Sequence, residues 1–384
     1  MSAILRRLGL KRIINAADTY SVIGGSVVAP DVAAAMAEVA RSFVSMAALQ
    51  DAVGVRIAEI TRSEAACVTP GAAAGLAIAT AALLAGTDPA SIAQLPQRKQ
   101  GRGRILIQRC QRIPYDHAVR MLGVELVEIG LADQTHLYEL EAALADGIDG
   151  ILYVAGTPFE RFALTLQQVV DTAHRYKTPV IVDAAAQLPP VDNLWRYGET
   201  GADLVIFSGG KGLRGPQGSG IVAGRADLVA ACRANMSPNH AFGRALKIGR
   251  EQIIGLLIAI ERFVAHDWQA QAGQWEAAVT HAVDTLSAID GVSASRIFPG
   301  RLGQTYPRAL ITWNANLGID RAALLSELQA GDPEIHLGLA DDNAPGVTIS
   351  PFVLNGTEEL DIVLDRLSAL LRAGDRTAPS ETMT

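Results

Sequence analysis

Short apolar runs rich in β-branched residues alternate with helical stretches between about residues 64 and 224. Parallel strands need a long crossover between them, so this alternation is typical of a mostly parallel sheet with helices on both faces. Seven runs have the length and composition of strands: 66–69, 104–109, 124–129, 150–155, 179–183, 203–208 and 220–224. The pattern therefore predicts an α/β fold with one large, seven-stranded, mostly parallel sheet.

Helical periodicity marks the segments between and before these strands. Apolar residues three and four positions apart line one face of a helix, which predicts that they belong to the core. Two such stripes are Leu166, Val169, Val170 and Ala173 within 164–176, and Val32, Met36, Val39 and Phe43 after Pro30. We expect both helices to bury these stripes.

The pattern changes after about residue 240. The predicted elements there are two or three short strands and helices at 248–265, 269–289, 321–330 and 358–372. A chain of 384 residues is also too long for one ordinary core. We predict a large domain over 1–245, a smaller C-terminal α/β domain over 246–372 and a flexible tail over 373–384.

The charge of the chain argues against nucleic acid as a partner. The formal net charge is −7 at pH 7, whereas affinity for phosphate backbones comes from clustered Lys and Arg. The one basic run, RKQGRGR at 98–104, is short and is expected to be a solvated loop.

Three distant cysteines, Cys67, Cys110 and Cys232, form no C-x-x-C pair. This usage favours a reducing compartment, and we predict no metal site. The sequence has no export segment and no apolar run of the roughly 20 residues that a membrane span needs. We therefore expect a cytoplasmic protein without a membrane partner.

Asp183 ends the apolar run 179–183. In open α/β sheets, ligands bind at the carboxyl ends of strands, and a carboxylate buried there is costly unless a cation pairs with it. The protonated pyridine nitrogen of pyridoxal phosphate is one such cation. An aspartate that caps the following helix is the competing interpretation.

Lys211 lies in a glycine-rich segment, SGGKGLRGPQGSG, at the end of the run 203–208. A lysine among small residues suits a Schiff base, because a planar cofactor can approach the backbone and partial burial lowers the pKa of the amine. Two nucleotide-binding interpretations fail. A P-loop would have glycine six residues before the lysine and Ser or Thr directly after it, but this chain has Val205 and Gly212 there. The segment 218–224 matches G-x-G-x-x-A, but it continues into a predicted strand, whereas a dinucleotide-binding motif begins a helix.

A third signal is the segment VTPGAAAGLAIATAALLAG, in which an apolar run is followed by Pro70, Gly71 and small residues that begin a helix. Free N–H groups and the helix dipole at such a start favour an anion such as phosphate. Ser208, shortly before Lys211, offers a hydroxyl to the same phosphate. Close packing of an alanine-rich helix is the alternative explanation.

The order of these signals along the chain resembles the aspartate-aminotransferase type (fold type I) of pyridoxal-phosphate enzymes. FSGGKGLRGPQGSGIVAG and CQRIPYDHAVRMLGVELVEIGLADQTHLYELEAAL are similar to segments of the family that contains selenocysteine synthase (L-seryl-tRNA selenium transferase) and D-glucosaminate-6-phosphate ammonia-lyase. INAADTYSVIGGS and GRALKIGREQIIGLLIAIE also match this family in pattern. The likeness covers about residues 12–265.

The resemblance implies a role for each site residue. Lys211 would hold pyridoxal phosphate and shuttle the α-proton of the substrate, and Asp183 would pair with the pyridine nitrogen. The phosphate cradle would consist of Gly71, Ala72, Ala73 and Ser208, with Arg112 as a further anion contact. The resemblance also implies active sites at subunit interfaces, and therefore a homodimer or higher homo-oligomer in which the 215–220 loop reaches a neighbour's phosphate.

Within this family, the chain is expected to be closer to the ammonia-lyase branch. It is acidic, and only about fourteen residues precede INAADTY, whereas selenocysteine synthase carries an additional tRNA-binding domain. We expect a lyase that removes the α-proton of a small polar amino acid, eliminates the β-substituent and releases ammonia and a 2-oxo acid. Racemase, aldolase or transferase chemistry stays open. A catalytically silent binding or regulatory homologue also stays open, although the intact Asp183, Ser208 and Lys211 set argues against it.

Substrate contacts are less constrained by the sequence. The candidates are Tyr20, Tyr115, Arg214 and Arg244, with Lys247 and Arg250 as further cations. The segment GVTISPFVLNGTEEL lacks the arginine that many enzymes of this fold use to bind the substrate carboxylate. We therefore expect recognition of a substrate carboxylate to come from elsewhere in the chain.

Overall fold

The structure is a computed structural model that describes residues 2–98, 101, 103–340 and 346–375. Its helices are α1 (Ala3–Arg7), α2 (Pro30–Val39), α3 (Met46–Thr61), α4 (Ala72–Ala85), α5 (Pro89–Gln94), α6 (His117–Arg120), α7 (Leu137–Ala145), α8 (Thr157–Glu160), α9 (Leu166–Arg175), α10 (Asn193–Glu199), α11 (Ala226–Asn235), α12 (Arg250–Ala265), α13 (Trp268–Ser287), α14 (Arg321–Ala330) and α15 (Thr357–Asp375). Its strands are β1 (Ile13–Ala16), β2 (Ala65–Thr69), β3 (Arg104–Gln108), β4 (Glu125–Ile129), β5 (Gly150–Val154), β6 (Val180–Asp183), β7 (Leu204–Ser208), β8 (Gly220–Gly224), β9 (Val292–Ile297), β10 (Arg308–Trp313), β11 (Glu334–Leu339) and β12 (Val347–Ile349).

The larger of two sheets contains seven strands in the order β2-β8-β7-β6-β5-β3-β4. All seven predicted strands are found in it, so the predicted sheet is confirmed. The pairs from β7 through β6, β5 and β3 to β4 are parallel, whereas β8 is antiparallel to both β2 and β7. The chain reverses directly from β7 into β8, which is why these two strands need no helix between them.

The alanine-rich helix α4 packs closely on this sheet. Almost every residue of α4 is buried, and small side chains let its backbone approach the strands. A Cβ atom at Gly75 would lie 3.1 Å from Ile206 Cγ2 and 3.2 Å from Val222 Cγ2, so even one added methyl group would crowd β7 and β8. Close packing is thus one reason for the composition of α4, and it fixes the position of the helix start.

The chain divides into two compact units. We call residues 26–266 with 301–304 the large unit, and the residues up to 25, 267–300 and the described residues from 305 onward the small unit. The predicted boundary at 245/246 stays a prediction. The large unit begins at residue 26 rather than 1, and its main segment ends at 266 rather than 245. The first residues group with the small unit because β1 pairs in parallel with β11, and α12 groups with the large unit because it packs on α2.

The small unit has a five-stranded sheet in the order β1-β11-β12-β10-β9. Its core lies on one face, where Ala309, Ile311 and Trp313 of β10 meet apolar residues of α13 and α15. Two or three strands were expected after residue 240, and the described residues there contain four. The sequence signal is weak because β9 (VSASRI) is short of apolar residues and alternates between exposed and half-buried positions.

Two predictions about where a helix ends are wrong in detail. The stripe predicted for α2 does not include Phe43, because the helix ends at Val39 and Phe43 is fully exposed. Arg250 donates hydrogen bonds to the carbonyls of Val39 (3.1 Å) and Ala40 (2.7 Å) at that helix end. The predicted tail begins too early, since α15 continues to Asp375.

Two further predictions fall on residues outside the described part of the chain. These are the rest of the tail, 376–384, and most of the basic run 98–104. None of the helices in the described ranges is long and apolar enough to cross a membrane.

Candidate active site

The strand ends of the large sheet bring two of the predicted site residues to one face. Asp183 at the end of β6 lies opposite Ile206 of β7, and Ser208 follows Ile206 by two positions. Side chains two positions apart on a strand share a face, so Asp183 and Ser208 point to the same side of the sheet. This is the side on which α4 packs, because Ile206 contacts Gly75.

Asp183 is a buried carboxylate with little support from the protein. It is 7% exposed, and Oδ1 accepts a hydrogen bond from Ala185 N (3.0 Å). Burial raises the pKa of Asp183, while the Ala185 N–H and the positive charge of Lys211 oppose this rise. Among the described residues, no arginine or histidine forms an ion pair with Asp183. The alternative of a helix cap fails, because α10 begins only at Asn193.

Lys211 lies in the connection from β7 to β8, which folds tightly on itself. Gly209 N donates to Ser219 O (2.8 Å), and Gly215 N donates to Gly209 O (2.8 Å). Ser26 binds the same connection through its N–H and its hydroxyl, both at 3.1 Å from Gly210 O. The backbone on either side of Lys211 is therefore held from several directions.

The glycines beside Lys211 are required by this packing. A Cβ atom at Gly210 would lie 2.5 Å from Gln217 Cα, and one at Gly212 would overlap Leu188 O. The sequence-based reason for these glycines was the approach of a planar cofactor. The contacts of the protein itself are sufficient to explain Gly210 and Gly212.

Two predicted substrate residues lie close to Lys211. The ring centroid of Tyr115 is 5.9 Å from Lys211 Nζ, and Tyr115 is 58% exposed on a 3₁₀ turn. Arg214 N donates to Lys211 O (2.9 Å), and Arg214 has a φ of 53°, in the left-handed region that an arginine rarely adopts.

The guanidinium of Arg214 is partly desolvated. Burial lowers the pKa of Arg214, and the like charge of Arg262 lowers it further. No carboxylate in the described part of the chain pairs with Arg214, whereas Arg262 itself pairs with Asp31 (2.9 Å). A strained and unpaired cation three residues after Lys211 is suited to bind an anionic group.

The start of α4, where the sequence predicts an anion site, has backbone N–H groups that the helix does not use. Gly71 precedes the helix with a φ of 104° and no side chain caps its N–H groups, so those of Ala72 and Ala73 are unused by the helix. A Cβ atom at Gly220 would lie 2.6 Å from Gly71 C and 2.8 Å from Ala72 N. Ser208 is the cross-strand neighbour of Gly220, which places its hydroxyl beside the same helix start.

The other predicted residues have different surroundings. Arg112 Nε lies 2.6 Å from Asp116 Oδ2, and its Nη1 contacts Glu128, so its role as an anion contact stays a prediction. Arg244 and Lys247 are exposed, and Arg250 binds the carbonyls at the end of α2. Tyr20 belongs to the small unit.

Sequence reasoning missed one buried ionic cluster in the small unit. Arg308 is 6% exposed and its Nη2 lies 2.5 Å from Asp18 Oδ2. The hydroxyl of Tyr306 donates to the same carboxylate at 3.0 and 3.1 Å. An arginine at the start of the apolar run RALITW was the available signal, since arginine is almost never buried without a partner.

The residues of the large unit fit pyridoxal phosphate. Asp183 offers a buried carboxylate to the pyridine nitrogen, and the start of α4 with Ser208 offers N–H and O–H donors to the phosphate. Lys211 has an amine of the kind that can attach this cofactor, and this role stays a prediction. The raised pKa of Asp183 is the sign that the protein alone does not satisfy this carboxylate.

Comparisons with known proteins bear on the family and the cofactor of this chain. The family profile described as L-seryl-tRNA selenium transferase matches residues 24–274. A 5'-C-glycyluridine monooxygenase-decarboxylase from a Streptomyces species is 34% identical over 374 residues, which cover 95% of this chain and 91% of that protein. The D-glucosaminate-6-phosphate ammonia lyase of Salmonella typhimurium is 32% identical over 339 residues, 87% of this chain and 88% of that protein.

Solved structures give the same result. The structure of a D-glucosaminate-6-phosphate ammonia-lyase has a TM-score of 0.85 at 29% identity and covers 98% of this chain and 100% of its own. Structures at 13% identity with TM-scores of 0.60 to 0.62 share the fold alone. The predicted fold type I and the predicted cofactor are both confirmed.

Proposed function

The chain belongs to the L-seryl-tRNA selenium transferase family of pyridoxal-phosphate enzymes, and we propose that it is a lyase of a small polar amino acid. The reaction removes the α-proton, eliminates the β-substituent and releases ammonia and a 2-oxo acid. The similarity to D-glucosaminate-6-phosphate ammonia lyase over 87% of this chain carries the proposal. The enzyme class follows from the family, whereas the substrate is inferred.

Lys211 is the proposed acid and base. When bound, pyridoxal phosphate supplies an electron sink for the pair of electrons released at the substrate Cα. The amine of Lys211 accepts the α-proton and returns a proton to the leaving group. The hydrogen bonds to Gly209, Gly210 and Gly215 keep the backbone of this loop fixed, so the amine moves by side-chain rotation alone.

Asp183 is proposed to hold a proton on the pyridine nitrogen. Its carboxylate is buried and its pKa is raised by burial, so a cationic partner relieves the cost of its charge. The proposed phosphate site consists of the N–H groups of Ala72 and Ala73 with the hydroxyl of Ser208, beside Gly71, whose own N–H donates to Thr69 O (2.8 Å). Close packing between Gly220 and Gly71 keeps this helix start in position.

Substrate contacts are proposed at Arg214 and Tyr115. The guanidinium of Arg214 has no carboxylate partner in the described ranges and a pKa lowered by burial, which favours an anionic group of the substrate. Tyr115 lies 5.9 Å from Lys211 Nζ and is exposed, so its ring can cover one side of a ligand. Arg244 and Arg112 stay weaker candidates, because Arg244 is exposed and Arg112 contacts Asp116 and Glu128.

We propose a homo-oligomer, in line with the family resemblance. Large apolar side chains are exposed on the large unit: Val27 at 63%, Phe43 at 104% and Val44 at 39%. Gln217 and Gly218, in the loop proposed to reach a neighbour's phosphate, are exposed too. The mass of the particle in solution, measured by light scattering, tests this proposal.

We also propose a cytoplasmic protein that binds no nucleic acid. The net charge of −7 opposes binding to phosphate backbones. The three cysteines are unpaired, as in a reducing compartment. An electrophoretic shift with tRNA at low salt would contradict the first point.

A second candidate reaction is oxidative decarboxylation of an amino acid. The relative described as a 5'-C-glycyluridine monooxygenase-decarboxylase is 34% identical over 95% of this chain, so this chemistry deserves a direct comparison. Elimination needs no oxygen, whereas a monooxygenase consumes one O₂ for each turnover. Oxygen uptake therefore separates the two candidates.

The experiment is a substrate panel in which two products and the consumption of oxygen are measured at once. The purified enzyme is incubated with D- and L-hydroxy amino acids and with phosphorylated amino sugar acids, while ammonia, 2-oxo acid and dissolved oxygen are followed. Equal amounts of ammonia and 2-oxo acid without oxygen uptake support the lyase. Racemisation without ammonia, or oxygen uptake with loss of CO₂, would overturn it, and Lys211→Arg serves as the inactive control.

A further inference from the structure

The position of Tyr115 depends on the backbone of the turn that carries it. Its ring centroid lies 5.9 Å from Lys211 Nζ, a distance at which an aromatic face attracts an ammonium group. The residue is 58% exposed, so packing around the ring holds it only in part. The turn is the 3₁₀ helix Pro114–Asp116, in which Asp116 is buried at 2% exposure. Whatever fixes this turn therefore fixes the ring beside the amine of Lys211.

A buried carboxylate holds the turn from both sides. Asp116 Oδ2 accepts a hydrogen bond from Arg112 Nε (2.6 Å), and its Oδ1 accepts one from Arg120 Nε (2.8 Å). One arginine precedes Asp116 by four residues and the other follows it by four. Because each oxygen has its own guanidinium, the carboxylate cannot rotate without breaking a charge-assisted hydrogen bond. We call these three residues the arginine clamp.

The arginine clamp is anchored to the large sheet. Arg112 Nη1 also contacts Glu128, near the end of β4, and Arg109 Nε lies 3.1 Å from Glu128 Oε2. Ile113 packs against the apolar core that includes residues of β3 and α4, and its carbonyl accepts from Asp116 N (3.0 Å). The turn is thus tied to the carboxyl ends of β3 and β4.

Stability alone is a poor explanation of the arginine clamp. A buried ion pair is often no more stabilising than apolar residues of the same volume, because the charges lose their hydration. Burial raises the pKa of Asp116, but the hydrogen bonds from Arg112 and Arg120 lower it by more, so the carboxylate is charged at neutral pH. What such a group supplies is a defined orientation, and the exposed ring of Tyr115 is the side chain that needs one.

We propose that Asp116 is a positioning residue of the active site, which holds the ring of Tyr115 beside Lys211 through the arginine clamp. The inference rests on the proposed roles of Lys211 and Tyr115. It depends on no particular reaction, since the ring is placed in the same way whichever bond of the substrate breaks. Substitutions of Asp116 are therefore expected to affect the site only through Tyr115.

The test is a double-mutant cycle on the pyridoxal-phosphate-loaded enzyme, followed by the visible circular dichroism of the bound cofactor. This signal reports the asymmetric surroundings of the cofactor and needs neither substrate nor turnover. We expect Tyr115→Ala and Asp116→Asn each to lower the signal about twofold, and Asp116→Asn to have no further effect once Tyr115 is alanine. Equal losses from Asp116→Asn in both backgrounds would overturn the proposal, as would an unchanged signal in Tyr115→Ala.

A second buried carboxylate of the large unit is the matched control for a general loss of stability. Asp203 is also 2% exposed and is held by Arg225 (2.7 Å) and His174 (3.0 Å). It directly precedes β7, at the opposite end of this strand from Lys211. Asp203→Asn is expected to destabilise the fold and to leave the signal of the cofactor unchanged. A decrease as large as that of Asp116→Asn would contradict a positioning role.

A further variant decides the matter where Asp116→Asn does not fold. Arg120→Gln removes one guanidinium of the arginine clamp from a side chain that is 41% exposed. We expect a smaller loss of signal, about 1.5-fold, because Arg112 still holds the other carboxylate oxygen. Arg175→Gln is the control, since Arg175 forms an exposed pair with Glu141 of the same unit. Equal signals in these two variants would overturn the proposal.

Discussion

Each of the two sheets has a buried carboxylate at or just after the carboxyl end of a strand, Asp183 at β6 and Asp18 after β1, and these two are supported in opposite ways. Asp183 of the large unit and Asp18 of the small unit are both 7% exposed. Asp18 is bound by Arg308, Tyr306 and the N–H of the next residue. Asp183 accepts a single backbone hydrogen bond, and burial raises its pKa.

We interpret this difference as that between a structural carboxylate, Asp18, and a carboxylate proposed to act in the site, Asp183. The protein itself compensates the charge of Asp18, so this residue contributes to the folded small unit. The charge of Asp183 is offset only in part, by the Ala185 N–H and the positive charge of Lys211, so a further cationic group beside it is favoured, as a cofactor site requires. Substitutions at the two sites are therefore expected to differ in the sign of their effect on stability.

The largest effect is expected at Lys211, whose charge acts on Asp183. Lys211→Ala should lower the rate of ammonia release by about a thousandfold or more, as expected for loss of a catalytic acid and base. Lys211→Arg is the control, because it keeps the positive charge near Asp183 but cannot exchange a proton at neutral pH. Equal activity of Lys211→Arg and the wild type would show that charge alone is needed.

Asp18→Asn should lower the free energy of unfolding by about 3 kcal/mol, because it leaves the buried Arg308 without its counter-charge. The measurement is urea-induced unfolding of the cofactor-free protein at pH 7. Loss of less than about 1 kcal/mol would mean that the pair is not needed by the fold.

Asp183→Asn should have the opposite effect on the cofactor-free protein. The pKa of Asp183 is higher in the folded state, so the folded protein binds a proton more tightly than the unfolded one does. Asp183 therefore contributes favourably to the free energy of unfolding below the pKa of the unfolded state, about 4. This contribution is lost as the pH rises through the higher pKa of the folded state.

We therefore expect Asp183→Asn to remove this loss and to stabilise the cofactor-free protein at pH 7. Ammonia release should fall about a hundredfold in the same variant, because the pyridine nitrogen loses its anionic partner. Unfolding curves of wild type and variant between pH 4 and 7 measure the first effect. If the difference in the free energy of unfolding between wild type and variant does not change with pH over this range, the pKa of Asp183 is not raised.

A smaller effect is expected at the glycine that packs on the phosphate site. A Cβ atom at Gly220 would lie 2.6 Å from Gly71 C, so Gly220→Ala must displace the start of α4. Overpacking of this kind costs about 1–3 kcal/mol, and we expect cofactor affinity to fall about tenfold. Gly218→Ala in the same loop is the control, since no atom lies within 4 Å of its added Cβ.

The smallest effect is expected for Ser208→Ala. Loss of one hydroxyl to the phosphate should weaken cofactor binding by about 1 kcal/mol, or roughly fivefold. The rate at saturating cofactor should change less than twofold, because Ser208 does not touch the reacting atoms. A large loss of rate with unchanged affinity would assign Ser208 a different role.

The sequence predicted the large unit better than the small one for a physical reason. Buried parallel strands are continuous apolar runs, such as VIVD and LVIFS, and they were found at nearly the right residues. The half-exposed strand β9 has no such run, and β1 pairs with a strand more than 300 residues away. Local patterns do not encode such distant pairing.

The sequence could predict those residues of the candidate site that lie at the ends of strands. Asp183 and Ser208 end the strands β6 and β7, and Lys211 follows β7, so the sequence predicts that they lie at one edge of the sheet. Their roles in a site stay a prediction. The buried pair of Asp18 and Arg308 depends on contacts between residues 290 positions apart. Nothing in the spacing of either residue indicates the other.

The most direct test of the account is to find the residue that carries the cofactor. The enzyme loaded with pyridoxal phosphate is reduced with borohydride and digested, and the labelled peptide is identified by mass spectrometry. We expect one label, on Lys211, and none in the Lys211→Ala variant. A label on Lys177 or Lys247, or no label on the reduced wild type, would contradict the site built around Asp183 and Lys211.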